Sequence, residues 1–512
     1  MFAFLALLAL SSPQEPEAVL LTDLASPYSN FGETVATEGE WTFVGAPDDY
    51  RAANYEGAVF VYRRTAQGWA YHQRLVSSQP AGFETFGHDI AIKDGILVIG
   101  APGPLGTDTG SAYVFRFDGQ NWVEEQVLSQ STGWGDDWFG WSVDVDGDRI
   151  AVGAMWARQT VFNTPNHAGA AYVYVFDGQS WVLQQSLVSS DQESYDNFGS
   201  AVALSGDRLV VGARGEGNYA GFGGQSEYAI GAAYVFDFNG SSWVEQQKLR
   251  ASSPEEQSFF GGAADVDGDT ILVGSFGRNG GISHGAGAAY FFERQGGQFV
   301  EVLETKGMMP GFTHKLGRNV ALEGDFAVIA SGGEDLLGNP QGALHPYRRL
   351  QGVWEPEPLI QVGNLGTWDL FALDVSIDGT QVATGAYLES LPSSLSPGAG
   401  FVYQLPTRFH LIIGPLPIDS QEDVKLRLRH GTPQSPAFLA YSLAGWGSTQ
   451  VPPLGVVLDI RAARQLGPMR MTDASGEAKW DLAVPPTAQG LTVWIQGLQA
   501  AQTSNVIRSV IF

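Results

Sequence analysis

Short apolar stretches separated by glycine-rich turns follow one another along most of the chain. In the clearest part, an alternating stretch (Ser200–Leu204) is followed by a Gly206-Asp207 turn and a β-branched apolar stretch, Leu209–Gly212. An aromatic stretch (Ala232–Phe236) and a polar alternating stretch (Val244–Leu249) come next. Alternation is typical of half-buried strands, and short continuous apolar stretches bounded by turns are typical of buried ones. The pattern therefore predicts a unit of four β-strands.

This unit repeats along the chain at intervals of 53 to 62 residues. Its copies begin with a Phe-Gly pair or a close variant of it: Phe31-Gly32, Phe86-Gly87, Phe139-Gly140, Phe198-Gly199, Phe260-Gly261, Leu316-Gly317 and Phe371-Ala372. A linear β-solenoid has much shorter rungs, whereas propeller blades have four strands. The repeat therefore predicts an all-β fold, a seven-bladed β-propeller, over residues 17–404.

The two ends of the repeat region suggest how the ring closes. The seventh unit ends at Phe401–Tyr403 and has no fourth strand after it. The stretch Ala18–Leu24 lies just before the first unit, where each other unit is preceded by a fourth strand. An unclosed ring would expose long sheet edges. We therefore predict that this N-terminal stretch pairs with the seventh blade.

The first residues of the chain have the pattern of an export signal. Phe2–Leu10 is a run of nine apolar residues followed by Ser11, Ser12 and Pro13. This run is too short to span a bilayer and fits the apolar region of a signal peptide, although no Lys or Arg precedes it. A buried first strand is the alternative. We predict a signal peptide over residues 1–16, a secreted or cell-surface location, and no further membrane span.

The charge of the chain excludes some partners. Lys and Arg number 28 and Asp and Glu number 55, which gives a net charge of −27. The imbalance comes from a shortage of basic residues, because acidic residues are present at ordinary frequency. Such a surface repels nucleic-acid phosphates and anionic lipids. Glycans and proteins are the expected partners.

Cysteine and histidine usage excludes several kinds of site. The chain has no cysteine, so it has no disulfides, thiolate zinc sites or cysteine nucleophiles. Its eight histidines are scattered, and none lies in an HExxH motif. A histidine-based metal centre therefore has no support in the sequence.

The repeat resembles the FG-GAP repeats of integrin-alpha-like β-propellers. The clearest copy combines Phe198-Gly199, the step Val211-Gly212-Ala213, and Gly-Ala-Ala-Tyr-Val-Phe over 231–236. The resemblance extends over about residues 18–404 and implies the propeller fold. It is less informative about function, because such repeats occur in adhesion receptors, in secreted bacterial proteins and in modules attached to enzymes. The secreted bacterial type is the nearest in pattern.

Calcium-binding members of that family carry a DxDxDGxxD loop between strands one and two, with oxygens that can surround a hard cation. Two units of this chain keep shortened remnants of the loop: Asp144, Asp146 and Asp148, and Asp265, Asp267 and Asp269. Neither remnant has the later aspartate. A tight turn in which Asp bonds its own backbone is the favoured interpretation, so no cofactor is expected, with calcium as the alternative.

Strand alternation predicts that the long links, from strand two to three and from blade to blade, lie on one face of the propeller. Variable loops on a rigid scaffold are where binding usually occurs, and aromatic side chains suit sugars and protein partners. The candidate ligand-binding residues in these links are Tyr50, Arg51, Tyr55, Trp134, Asp136, Asp137, Trp156, Arg158, Tyr219, Phe222 and Tyr228. The alternative is that these side chains only cap loops or pack the blade edges.

The pattern changes after Tyr403. Residues 405–512 hold about seven apolar or alternating stretches separated by turn residues. This spacing predicts a small β-sandwich module.

The sequence contains no nucleophile elbow, phosphate loop or paired-carboxylate motif. We therefore expect a non-catalytic exported protein that binds a protein or glycan, as in cell adhesion, through the long-loop face. A propeller hydrolase or lyase acting on extracellular polysaccharide is one alternative, because sequence alone cannot assemble residues across blades. A structural component of the cell envelope is the other.

Overall fold

A computed structural model describes most of residues 16–405 and the strands beyond them. Within residues 16–405, the residues outside the description are 23, 27–28, 51–55, 80–82, 104–108, 131–136, 159, 162–163, 166, 218–228, 254–257, 278–285, 308–314, 333–341, 351, 362–369 and 388–397. The predicted signal peptide lies almost entirely outside the described residues. Among the described residues, no helix is long and apolar enough to cross a membrane. Contacts divide the chain into a unit over Pro13–Gln404 and a second unit over Leu405–Phe512.

The described strands of the first unit form seven antiparallel four-stranded sheets. The first strand, β1 (Ala18–Leu20), belongs to the last blade. Blades 1 to 3 consist of β2 (Val35–Glu38), β3 (Trp41–Ala46), β4 (Ala58–Thr65) and β5 (Gly68–Leu75); β6 (Asp89–Lys93), β7 (Ile96–Ala101), β8 (Ser111–Phe117) and β9 (Trp122–Leu128); and β10 (Phe139–Asp146), β11 (Arg149–Ala154), β14 (Ala170–Phe176) and β15 (Trp181–Leu187). A small hairpin of β12 (Thr160–Val161) and β13 (Thr164–Pro165) lies within blade 3's long link.

The remaining blades follow the same order. Blades 4 to 7 consist of β16 (Phe198–Ser205), β17 (Arg208–Ala213), β18 (Ala232–Phe238) and β19 (Trp243–Leu249); β20 (Phe260–Asp267), β21 (Thr270–Ser275), β22 (Ala288–Gln295) and β23 (Gln298–Lys306); β24 (Leu316–Glu323), β25 (Phe326–Ser331), β26 (Ala343–Leu350) and β27 (Val353–Pro356); and β28 (Leu370–Asp378), β29 (Gln381–Tyr387), β30 (Ala399–Gln404) and β1. The predicted seven-bladed propeller is confirmed.

The predicted ring closure is also confirmed. Strand β1 pairs antiparallel with β30, with Val19 opposite Phe401. The paired strand is shorter than the predicted stretch and ends at Leu20, whose side chain is 2% exposed. Phe31 of blade 1 also bridges Gly398 of blade 7, which adds a second backbone contact at the closure.

The phenylalanine of each Phe-Gly pair anchors the core of its blade. Phe198 is fully buried and meets the ring of Tyr234 edge-on at a centroid distance of 5.5 Å. Phe86 with Tyr113 and Phe260 with Tyr290 repeat this arrangement in blades 2 and 5. Such edge-to-face pairs add about 0.5–1.5 kcal/mol each beyond the area they bury. The two aromatic positions of the repeat are therefore one packing unit.

The glycine of the pair is required because blades cross closely there. Gly199 has φ of 87°, and a Cβ at this position would overlap the carbonyl oxygen of Ala170 in the preceding blade. Phe198 beside it bridges Gly169, which begins the aromatic strand of that same preceding blade. The Phe-Gly pair of one blade and the Gly169-Ala170 pair at the start of the preceding blade's aromatic strand therefore form one inter-blade crossing.

The outer strands of neighbouring blades are joined by glutamine side chains. Gln185 in blade 3 accepts a hydrogen bond from Trp243 N–H at 2.8 Å and donates to the Trp243 carbonyl at 3.0 Å. Gln73 and Gln126 make the same pair of bonds to Trp122 and Trp181. These glutamines of the fourth strands thus join neighbouring blades at the outer edge of the propeller.

The second unit contains three separate sheets among its described strands. They consist of β31 (His410–Gly414), β32 (Asp423–Arg429) and β38 (Ala478–Ala483); of β33 (Pro436–Ser442), β36 (Arg464–Gln465), β37 (Arg470–Met471), β39 (Thr492–Gln499) and β40 (Gln502–Val510); and of β34 (Trp446–Val451) and β35 (Val456–Ile460). The unit is all-β as predicted, and its arrangement as a sandwich stays a prediction.

Candidate functional site

The inner strands of the blades surround a central cavity of about 340 Å³. One end of this channel lies at the turn face, the face that carries the short links between strands one and two. The other end lies at the loop face, the face that carries the long links. Glu33, His88, Trp141, Ser200 and Arg318 line the cavity, each two residues after the first residue of its unit's Phe-Gly pair or variant. This position faces the channel in each of these blades.

Four aspartates on the inner strands, Asp89, Asp144, Asp265 and Asp374, each join their blade to the next one. Each carboxylate accepts one hydrogen bond from the residue after it and one from the neighbouring blade. The inter-blade bonds run from the N–H of Val143 to Asp89 (2.7 Å), of Leu204 to Asp144 (2.6 Å), of Leu322 to Asp265 (2.6 Å) and of Val35 to Asp374 (2.7 Å). These carboxylates therefore serve the integrity of the ring.

The same carboxyl groups are held in a poorly solvated environment. Burial raises the pKa of Asp89 to about 6 and the pKa values of Asp265 and Asp374 to about 7. Burial, with the nearby charge of Asp265, also raises the pKa of Asp144 well above its usual range. The folded protein therefore binds protons at these positions at a higher pH than the unfolded chain does.

The acidic remnants predicted as turns or as weak calcium sites hold the next blade. Asp146 accepts the N–H of Gly206 at 2.5 Å, and Asp267 accepts the N–H of Gly324 at 2.6 Å. They bond the backbone of the following blade, whereas the sequence analysis favoured bonding within their own turn. The physical reason is that inner strands converge at the channel, so a neighbour's turn is within reach of a short side chain.

The last aspartates of the two remnants lie apart from this role. Asp148 is exposed, and Asp269 forms an ion pair with Arg208 at 3.0 Å. Across the part of the chain that the structure describes, no three acidic or histidine side chains are grouped so that they could hold a metal ion. The expectation that the protein uses no calcium stays a prediction.

Lys93 occupies the turn-face end of the channel. Its Nζ lies 3.6 Å from Glu323 Oε1, which belongs to blade 6. The charges of Glu323, Glu38, Asp146 and Asp378 act together to raise the pKa of Lys93 against the opposing effect of burial. This lysine is thus a cation surrounded by carboxylates from several blades.

On the loop face, the described candidate residues have different environments. Tyr50 is 38% exposed, and its N–H donates to Ser26 Oγ at 3.0 Å. Asp137 was expected among exposed binding residues, but it is 3% exposed, and its carboxylate accepts the N–H of Arg158 at 3.2 Å. Asp137 is therefore more buried than expected and holds blade 3's long link through Arg158, and its role in ligand binding stays a prediction.

Trp156 is the described candidate that has the most informative contacts. Arg51, Tyr55, Trp134, Asp136, Tyr219, Phe222 and Tyr228 lie outside the described residues.

Trp156 belongs to a row of rings in contact that we call the aromatic ladder: Trp141, Trp138, Trp156, His167 and Tyr195. The indole of Trp138 lies nearly parallel to both neighbours, 5.0 Å from Trp141 and 4.4 Å from Trp156 with interplanar angles of 11°. Trp156 contacts His167 at 5.2 Å, and His167 contacts Tyr195 at 5.8 Å. The ladder leads from the channel strand of blade 3 to the linker before blade 4.

The inner end of the ladder meets two cationic or titratable groups. The Arg214 guanidinium lies 5.4 Å from the centroid of Trp141, and the His88 ring lies 4.4 Å from it. Burial, with the nearby charge of Arg214, lowers the pKa of His88 to about 4. His88 is therefore neutral at physiological pH.

Two members of the ladder have strained backbones. Trp138 has φ of 56° and Tyr195 has φ of 69°, in the left-handed region that bulky residues rarely adopt. The residue before the Phe-Gly pair or its variant has φ of 49° to 59° in six blades (Asn30, Thr85, Trp138, Asn197, Phe259 and Lys315), so this angle belongs to the repeat, and asparagine tolerates it better than tryptophan does. Such strain costs about 1–3 kcal/mol per residue and is concentrated at functional sites.

The sequence analysis did not single out Trp141, His167, Tyr195, His88 or Arg214. A usable signal for Trp141 was present, because the position after Phe-Gly varies in chemistry from unit to unit, whereas the Phe-Gly pair before it and the apolar residue two positions after it recur. No such signal marked His167 or Tyr195, since each lies in a link that differs in length between blades.

The comparisons with known proteins agree with the geometry of the ring. A family model described as FG-GAP repeat matches residues 69–115, 122–174, 181–236 and 243–292. Each match begins in the fourth strand of one blade and ends in the third strand of the next. The chain therefore carries FG-GAP repeats, as the resemblance predicted.

Individual relatives are more distant. The chain is similar to integrin alpha-5 from Xenopus laevis, with 30% identity over 190 residues, which is 34% of this chain and 16% of that protein. A crystal structure from Bacteroides uniformis, described as a candidate 6-phosphogluconolactonase, is similar with a TM-score of 0.40 and 12% identity. That similarity covers 65% of this chain and 85% of the other.

Proposed function

From an integrin-alpha-like propeller built of FG-GAP repeats, we propose that this chain is an exported, non-catalytic binding protein. It recognises a protein or a glycan at the cell surface or in the extracellular medium, and it does so through its loop face. The observation that carries the proposal is the aromatic ladder. It places rings of strained backbone at the loop face, where the long links meet the channel.

The use of the carboxylates supports a non-catalytic role. A general acid or base must reach its substrate's proton. Asp144 and Asp265, by contrast, accept a backbone hydrogen bond on each carboxylate oxygen, one of them from the adjacent blade. Freeing these oxygens for chemistry would break the contacts between blades.

A hydrolase or lyase acting on polysaccharide is the second candidate. The observation that favours it is the pair Asp89 and Asp374, which line the cavity and whose pKa values are raised to about 6 and about 7. Carboxyl groups with such values suit acid catalysis near neutral pH. Asp89 and Asp374 are, however, hydrogen-bonded to the next blade in the same way.

One experiment separates these functions. The purified protein is incubated with a panel of polysaccharides and with cell surfaces, and retention and released sugar are measured in the same samples. We expect saturable retention without released sugar. Release that is lost in Asp374→Asn, with the melting temperature retained, would establish the enzyme instead. Absence of both would leave a structural role in the envelope, to be tested by co-fractionation.

A further inference from the structure

The outermost ring of the aromatic ladder is an open platform. Tyr195 is 39% exposed, whereas the rings beneath it are partly buried and in contact with one another. Among the described residues, His167 is the one ring that stacks on Tyr195. The phenol ring therefore keeps one side for a ligand, while the ladder and the positive φ fix its orientation before any ligand arrives. Such preorganisation reduces the entropy lost on binding.

A polar cluster includes Asp191, which lies on the same linker as Tyr195, and side chains of blade 4 and of the segments next to it. Asp191 accepts hydrogen bonds from Lys248 Nζ at 2.6 Å and from the Tyr234 hydroxyl at 2.7 Å. Lys248 also donates to Glu216 at 2.8 Å, and Arg250 donates to Glu216 at 2.6 Å. The side chains of Asp191 and Arg250 are each 49% exposed. These four side chains offer both hydrogen-bond donors and hydrogen-bond acceptors.

We propose that Tyr195, supported by the ladder and flanked by the Asp191–Lys248–Glu216–Arg250 cluster, is the binding site for a pyranose ring of a neutral polysaccharide. This inference rests on the proposed function and names its ligand class. A sugar presents an apolar face that stacks on an aromatic ring and hydroxyl groups that pair with charged side chains. The net charge of −27 disfavours anionic polysaccharides.

The chain offers a matched control. Phe83 occupies the same position as Tyr195, three residues before the Phe-Gly pair, in the linker before blade 2. It has φ of 61° and is 56% exposed, but it is not a member of the ladder. Asparagine tolerates positive φ, so Tyr195→Asn and Phe83→Asn each remove a ring and relieve similar backbone strain.

The test is affinity electrophoresis of the full chain in gels that contain β-glucan, xylan, galactomannan, mannan or, as the anionic comparison, polygalacturonate. We expect a neutral polysaccharide to retard the wild type. Tyr195→Asn should weaken this binding about tenfold, equivalent to about 1.4 kcal/mol. Phe83→Asn should stay within about twofold, as surface substitutions usually do. Trp156→Ala should also weaken binding, since it removes the support of the platform. Melting curves establish that each variant is folded.

Several outcomes would overturn the inference. Equal binding by wild type and folded Tyr195→Asn would place the glycan elsewhere and leave the proposed function intact. Retardation by polygalacturonate alone would contradict the neutral ligand. Retention on cell surfaces that is abolished by protease treatment of those surfaces, with no polysaccharide bound, would favour a protein partner. Absence of retention on any of these would reject the proposed function together with this site.

Discussion

The turn face and the loop face of the propeller use their polar and aromatic residues in opposite ways. At the turn face, Asp146, Asp267 and Asp378 each accept a backbone N–H from the next blade. At the loop face, Trp138 and Tyr195 hold unfavourable backbone angles, and Tyr195 presents its ring to solvent. The hydrogen bonds at the turn face stabilise the ring, whereas the positive φ angles at the loop face cost conformational free energy.

This difference indicates where function can change without loss of the fold. Turn-face residues are coupled to the neighbouring blade, so their replacement affects stability. Loop-face residues are attached to strands that are already fixed by the Phe-Gly crossings, so their replacement affects binding. The long links can therefore vary in length and composition while the ring persists.

Ring closure supports both faces, so its loss should have the largest effect. Deletion of residues 16–22 removes the pairing of β1 with β30 and the burial of Leu20. At about 0.5–1.5 kcal/mol per hydrogen bond and about 1.5–3 kcal/mol for a buried leucine, several kcal/mol of stability are lost. Thermal unfolding followed by circular dichroism measures the change. The double variant Val19→Ser and Leu21→Ser, which alters exposed side chains of the same segment, is the control and should melt near the wild type.

Loss of an inter-blade hydrogen bond near the turn face should have the next largest effect on stability. Asp265→Ala leaves the N–H of Leu322 without its acceptor, 2.6 Å away in the wild type. A buried unsatisfied donor costs about 1–3 kcal/mol, and denaturant unfolding should show a loss of this size. Replacement of the exposed Asp148 by Ala is the control. An equal effect of the two substitutions would contradict the role of Asp265 in joining blades 5 and 6.

The pH dependence of stability should reveal the same carboxylates. Because the pKa values of Asp89, Asp265 and Asp374 are raised to between about 6 and about 7, the folded state binds more protons than the unfolded state between about pH 4 and pH 7. Their contribution to stability is therefore full below the unfolded pKa and is lost as the pH rises through the folded values.

Denaturant unfolding between pH 5 and pH 8 should show a falling free energy of unfolding. Asp265→Asn, which cannot ionise, should reduce the change in the free energy of unfolding with pH. It should also lower the stability at every pH. A wild-type stability that rises over this interval would contradict the assignment.

Lys93 should have a smaller, salt-dependent effect. Lys93→Met leaves Glu323, Glu38, Asp146 and Asp378 facing one another without a cation. Stability in low salt should fall, and because the group is partly exposed, about 0.5 M sodium chloride should restore most of the loss by screening. Arg63→Met, which removes an exposed ion pair with Glu40, serves as the control. A loss that salt does not restore would indicate a packing role.

The loop face should show the smallest effect on stability. Trp138→Asn relieves about 1–3 kcal/mol of backbone strain but loses two stacking contacts of about 0.5–1.5 kcal/mol each. The net change should be under about 1 kcal/mol, whereas replacement of the core residue Trp122 by Ala should cost about 3–5 kcal/mol. A loss at Trp138 as large as at Trp122 would show that the ladder is part of the core.

Much of the ring was predictable because each unit repeats the same local chemistry. The Phe-Gly pair, the Gly-Asp turn and the aromatic strand each recur along the chain, and the absent fourth strand after Tyr403 indicated Ala18–Leu24 as its substitute, of which Ala18–Leu20 pairs with the seventh blade. The ladder was not predictable in this way. Trp141, Trp156 and Tyr195 come from an inner strand, a long link and the next linker, and their contact depends on how those segments fold together.

The sequence alone therefore determined the number of blades, the order of the strands, the closing segment and the net charge of −27, because these depend on periodicity and composition. Only the tertiary structure decided what the polar side chains do. Whether Asp146 binds a cation, its own turn or the next blade depends on distances between segments about 60 residues apart. Such distances are set by the convergence of inner strands at the channel axis, and no local pattern contains them.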